Sequence, residues 1–289
     1  MHTPDMILGE RGYEREHIDA VLSAIRKHFP AYFLTFAPTA RKAFQTAMAE
    51  WKKEQPGYEN FLDPFSLEEF EDDPGSFKAW IKSRCPIIRR SLNSTASDMK
   101  KYKMAFKLAA SSDLLRVSKN IAAFGRKYML SFNDRTHEAT ADLKDLGMGD
   151  LLREDYIVYG VIGGGIKSHL LYSLYPNAFP NRSRSAVWAL YFLSGKSDFG
   201  FKDGSEFLMI DLDKDNQSTQ QNYHYPYDLF AYYALEVYKI LKAECAAKGV
   251  KLDHMHRYVY LDTFLNHVAG QHESEIKLLK GTPKDYYGD

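Results

Sequence analysis

With 289 residues, 45% of them hydrophobic, the chain is long enough for one large or two ordinary domains built on a real core. Its formal net charge of zero excludes a surface that is cationic throughout, and two cysteines, Cys85 and Cys245, supply neither a disulfide framework nor a four-cysteine zinc site. The opening MHTPDMILGERGYERE has no basic region followed by an apolar run, and no stretch approaches the ~18 apolar residues that span a bilayer, so a cytoplasmic protein without a membrane partner is expected.

Ile18, Val21, Leu22, Ile25 and Phe29 predict a first helix from Tyr13 to Phe29, ended by Pro30. Thr39 is placed to cap a second, with Ala40, Ala43, Phe44, Ala47, Met48 and Trp51 on one face. An acidic connection follows, from Glu54 to Asp73, interrupted by Pro56, Pro64 and Pro74 and holding a short helix near Ser66 to Phe70. Such a run is ordinarily a solvated face; its sharper meaning is a strip that repels polyanions or folds over the segment after it.

That next segment reverses the charge. Between Lys82 and Lys127 stand twelve basic residues, against only Asp98 and Asp113. Two helices carry most of them. In the first, Met99, Tyr102, Phe106 and Ala109 face a core while Lys100, Lys103 and Lys107 form a neighbouring stripe; in the second, Leu114, Val117, Ile121, Phe124 and Tyr128 form the seam, with Arg116, Lys119, Arg126 and Lys127 off it. Ser111-Ser112-Asp113 supplies a capped break between them. Like charges at helical neighbours cost a few tenths of a kcal/mol per pair, roughly, and phosphates offset that repulsion. The alternatives are simple solvation and cover by the acidic segment.

Turn residues and a change of texture place a domain boundary within 133–149, separating a helical region, 1–135, from a mixed region, 150–289. Tyr156 to Ile162 is β-branched and aromatic and reads as a buried strand, leading through Gly163-Gly164-Gly165 into a helix from Ile166 to Leu174. A phosphate-loop spacing is almost present, but the lysine position from Gly160 falls on Ile166, and Lys167-Ser168 arrives one residue late. Asn181 or Ser183 is placed to cap a further helix. Arg182 and Arg184 at its start are cations at an unfavourable end, which points to a partner, either an internal carboxylate or a phosphate.

From Phe199 to Asp211 the pattern is a hairpin about Asp203-Gly204, with Glu206 on the second strand. Asp211, Asp213 and Asp215 then crowd together, a grouping that suits a divalent cation, although the spacing does not match a calcium loop. Beyond His224, a buried helix is expected from Asp228 to Lys248, then a strand from Arg257 to Leu261 and a short helix; His254, His256, His267 and His272 read as surface or satisfied histidines.

These observations predict an α+β fold, predominantly helical, with a smaller strand-containing C-terminal half. The leading functional expectation is a nucleic-acid partner, DNA or RNA, contacted through Lys100, Lys103, Lys107, Arg116, Lys119, Arg126, Lys127, Arg182 and Arg184. A metal-dependent phosphodiesterase or nuclease-like hydrolase is the enzyme alternative, with Glu206, Asp211, Asp213 and His224 as candidate catalytic groups and Asp211 and Asp213 as candidate metal ligands. A charge-driven protein-interaction module is the third. No motif demands a cofactor beyond that divalent metal.

Overall fold

The computed structural model describes residues 10–96, 99–200, 205–208 and 225–280. Among them are thirteen α-helices: α1 (Arg15–Phe36), α2 (Ala40–Phe61), α3 (Pro64–Glu68), α4 (Pro74–Arg84), α5 (Pro86–Asn93), α6 (Met99–Leu108), α7 (Ser111–Ser131), α8 (Asp134–Ala139), α9 (Gly164–Leu174), α10 (Arg184–Leu193), α11 (Tyr227–Ala247), α12 (Arg257–Gln271) and α13 (Glu273–Lys280). None of these helices is long and apolar enough to cross a membrane.

The architecture is all-α, which corrects the expected α+β class: the described residues hold no β-strand. A turn of 3-10 helix, Glu154–Tyr156, ends where the expected strand from Tyr156 to Ile162 begins, and the rest of that stretch makes one antiparallel bridge between Val158 and Ile162, closed about Gly160 at φ +73°. A left-handed glycine only two residues from each end of that bridge turns the chain back before a ladder can form. Arg257 to Leu261 opens α12 instead of forming a strand, because Tyr258, Leu261, Leu265 and Val268 continue one buried helical stripe. Short-range β propensity yields there to burial at helical spacing. Of the expected hairpin, Glu206 and Phe207 lie in a turn with Leu208 N–H donating to the Ser205 carbonyl at 3.0 Å; 201–204 and 209–211 lie outside the described residues.

Pro30 does not end α1, which runs on to Phe36. A proline inside a helix costs about 3 kcal/mol. The extra turn buries Phe33, which stacks on Phe29, and Phe36, which edges against Phe44 and Phe264, an apolar gain of comparable size. Ser183 caps α10 as expected, its side chain accepting from Ala186 N–H at 3.0 Å.

One buried apolar cluster runs from Ile18 in α1 to Ala269 in α12. At its centre is α10, buried at every position from Ala186 to Leu193, lying along α12 and against α1. An all-apolar helix of this kind needs neighbours on every side. Helix α2 packs on both α9 and α12, and α5 also reaches it and α9. The four helices α2, α5, α9 and α12 thereby surround a gap that opens to solvent.

Candidate functional site

The gap is a cavity of about 690 Å³, within the range of ordinary ligand sites. Its wall on α2 comes from Ala43, Ala47, Trp51, Glu54 and Tyr58, which recur at helical spacing along one face. Helix α12 contributes Val259, Asp262, Thr263 and Asn266, at i, i+3, i+4 and i+7. This polar stripe lies beside the apolar stripe that anchors α12 in the core. His169 and Tyr172 come from α9, Arg90 from α5, and Asn181 from the connection between α9 and α10.

The polar side chains form one continuous chain of hydrogen bonds. Arg90 lies against Glu54 and donates to the Tyr58 hydroxyl at 3.3 Å. The Tyr58 hydroxyl lies 2.9 Å from His169 Nε2, and His169 Nδ1 lies 3.4 Å from Asn181 Oδ1. Asn181 Nδ2 donates to Asp262 Oδ1 at 3.2 Å, and Asn266 Nδ2 donates to Asp262 Oδ2 at 3.1 Å. An amide oxygen only accepts, so Nδ1 of His169 carries the ring proton and Nε2 receives the proton of Tyr58. Every donor from Arg90 onward therefore points the same way. The chain ends on the Asp262 carboxyl.

Burial sets the protonation states along this path. It pushes the Asp262 carboxyl up to about 7, overriding the amide donors from Asn181 and Asn266, which act in the opposite direction. Burial, and next the nearby Arg90 charge, push His169 down to about 4, so its ring is neutral at physiological pH. Hydrogen bonding to Arg90 holds Glu54 below the usual carboxylate range. Two carboxyls in one cleft thus differ in state near neutrality: Glu54 ionised, Asp262 able to take up or release a proton. Tyr172 is buried, and its hydroxyl has no hydrogen-bond partner among the described residues.

The residues singled out from sequence fall elsewhere. Glu206 is fully buried, receiving the Tyr225 hydroxyl at 2.7 Å on one oxygen and meeting His17 Nε2 on the other, a closed knot in the core. Asp211, Asp213 and His224 lie outside the described residues, and among those described no group of three or more acidic, histidine or cysteine side chains is arranged to hold a metal. Arg182 is buried with its backbone N–H donating to Ser168 Oγ at 3.0 Å, while Arg184 is exposed. Lys167 is buried too and donates to the Leu151 carbonyl. Gly164 lets the Arg182 guanidinium approach so closely that a Cβ there would lie 2.8 Å from it, so the glycine run serves packing.

On the basic helices, Lys100, Lys107, Arg116, Arg126 and Lys127 are exposed, whereas Lys103 is half-buried. Lys119 pairs with Glu71 of the acidic connection, and Arg116 with Asp113. The acidic segment thus covers part of the basic face and leaves part open. No family model matches the chain, and neither a curated protein nor a solved structure matches it.

Sequence reasoning missed the cleft altogether. Its members are spread from Thr39 to Asn266; Ala43, Ala47 and Trp51 read as one apolar helix face, Val259 as part of a strand, and no local pattern joins them to the polar residues. One signal was available. Asp262 and Asn266 sit four residues apart on a helix otherwise rich in aromatic and branched side chains.

Proposed function

We propose that the chain binds a small polar molecule in the cleft among α2, α5, α9 and α12 and exchanges a proton with it through Asp262. The observation that supports this reading is the one-way donor chain from Arg90 through Tyr58, His169 and Asn181 to a carboxyl inside a solvent-reachable cavity. Such wiring holds the acceptor in a single orientation before the ligand arrives. A carboxyl that titrates near neutrality is suited to general acid–base chemistry.

A ligand-observed NMR screen of polar fragments, run on the wild type and on Asp262→Ala, tests the reading. Fragments that bind the wild type are expected to lose at least tenfold in affinity in the variant, with wild-type affinity changing across pH 6–8. Binding that is indifferent to both the substitution and pH removes the proposal.

A second reading keeps the nucleic-acid partner. Lys100, Lys107, Arg126 and Lys127 are exposed and form no salt bridge among the described residues, which leaves a cationic surface on α6 and α7 for phosphates. Charge reversal at Lys107 and Lys127 together should reduce the slope of log affinity for a DNA or RNA oligonucleotide against log salt by roughly two units. An unchanged slope eliminates this surface.

A further inference from the structure

The polar groups around the cleft differ in how far they are already committed. Arg90 is held by Glu54 and Tyr58, so it has little to offer an incoming anion. The other cation in the lining, Lys42, stands exposed at the rim. Glu50 and Glu54 lie on the same wall, and Asp262 at the opposite one becomes negative as pH rises. With Lys42 and Arg90 balanced by Glu50 and Glu54, the lining carries no excess positive charge. Phosphate and carboxylate ligands therefore find no net counter-charge here, only Lys42 at the rim beside carboxylates that repel them.

A purely cationic ligand fits no better. Side-chain donors in the lining, the amides of Gln55 and Asn266 and the hydroxyls of Thr46 and Tyr172, are met only by a ligand that also accepts. An ammonium group accepts nothing. Hydroxyl groups do both, and several of them on one ligand satisfy this mixed set without leaving a donor or acceptor stranded.

The remaining walls are aromatic. Trp51 has its Nε1 sealed from solvent with no hydrogen-bond partner among the described residues and its ring nearly perpendicular to that of His256, so it offers the cleft carbon surface only. Tyr172 presents an aromatic body beside a hydroxyl that has no partner among the described residues. Polar groups around an aromatic wall suit a ring whose hydroxyls lie at its edge and whose C–H bonds lie on its face.

From this arrangement we infer that the cleft takes a neutral, polyhydroxylated ring compound of carbohydrate type, held by Asp262, Asn266 and Tyr172 against the aromatic wall. The inference rests on the cleft being a ligand site, as proposed above. Its affinity comes from hydrogen bonds made inside the cavity, and its selectivity from a lining without excess positive charge.

Isothermal titration of the full chain with glucose, ribose, cellobiose, maltose and myo-inositol, beside glucose 6-phosphate, gluconate and spermidine, tests it. At least one neutral compound should bind with millimolar affinity or better, and at least tenfold more tightly than glucose 6-phosphate or gluconate. Tyr172→Phe, which keeps the ring, should weaken that binding fivefold or more, and Asn266→Ala should do likewise. Tighter binding of the anions or of spermidine overturns the ligand class while leaving the cleft as the site, provided the response is still lost in Asp262→Ala. If none of the neutral compounds binds, the inference fails, and the fragment screen then decides independently whether the cleft is a site at all.

Discussion

Replacing Arg257 with alanine should lower the unfolding free energy by about 3 kcal/mol, as for cutting a large, fully buried side chain back to its Cβ. Arg257 is fully buried at the start of α12. One guanidinium nitrogen donates to the Asn177 carbonyl, the other lies 3.2 Å from Asp134 and 3.7 Å from Glu138 on α8, and the group stacks 5.6 Å over the Tyr238 ring. Alanine removes the charge, leaves that carbonyl without its donor and opens a void against Tyr238. The damage should extend to the cleft, because the Pro176–Asn177 turn, which also accepts from Tyr258 N–H at 2.9 Å, leads directly to Asn181. Urea denaturation measures the loss. A change below about 1 kcal/mol would show that neighbouring groups or water replace the guanidinium with little penalty.

Asp262→Asn is expected to act in the opposite direction and make the protein more stable above neutral pH. The carboxyl titrates at about 7 in the folded chain, against an ordinary value of about 3.9. Between those two values the folded state binds more protons than the unfolded one, so this group's contribution is most favourable below the lower value and declines as pH rises through the upper one. Three pH units of difference correspond to at most about 4 kcal/mol, and the solvent that enters the cleft reduces this to roughly 2 kcal/mol. Asparagine keeps the shape and stays neutral. Its amide nitrogen meets one of the two amide donors unfavourably, which trims the gain further. Denaturation of both proteins from pH 4 to 9 should give curves that diverge upward in favour of the variant, while its ligand binding falls. A variant less stable than wild type at pH 8 contradicts the assignment.

The helices were legible wherever apolar residues recur at helical spacing on one face: α1, α2, α6, α7, α9 and the start of α10 at its Ser183 cap all follow from local pattern. Strand readings failed where aromatic and β-branched residues are dense for another reason. Tyr156 to Ile162 packs about a glycine turn, and Tyr258 and Val259 belong to a helix buried against α10. Pro30 misled because its penalty is outweighed by the phenylalanines beyond it. The candidate site was hidden for a different reason. Arg90 was counted among surface cations and Asn181 as a cap; only the packing of α2 against α9 and α12 brings Tyr58, His169, Asn181 and Asp262 into one hydrogen-bonded line. No local window contains two of these four residues except His169 and Asn181.

The most direct test is a carbon-13 NMR titration of the Asp262 side-chain carboxyl, assigned by comparison with Asp262→Asn. A midpoint near 7 is predicted, with the amide resonances of Asn181 and Asn266 shifting along the same curve. A midpoint near 4, with those amides unmoved at neutral pH, would mean that the cleft holds a permanently charged aspartate and that the proton-exchange reading is wrong.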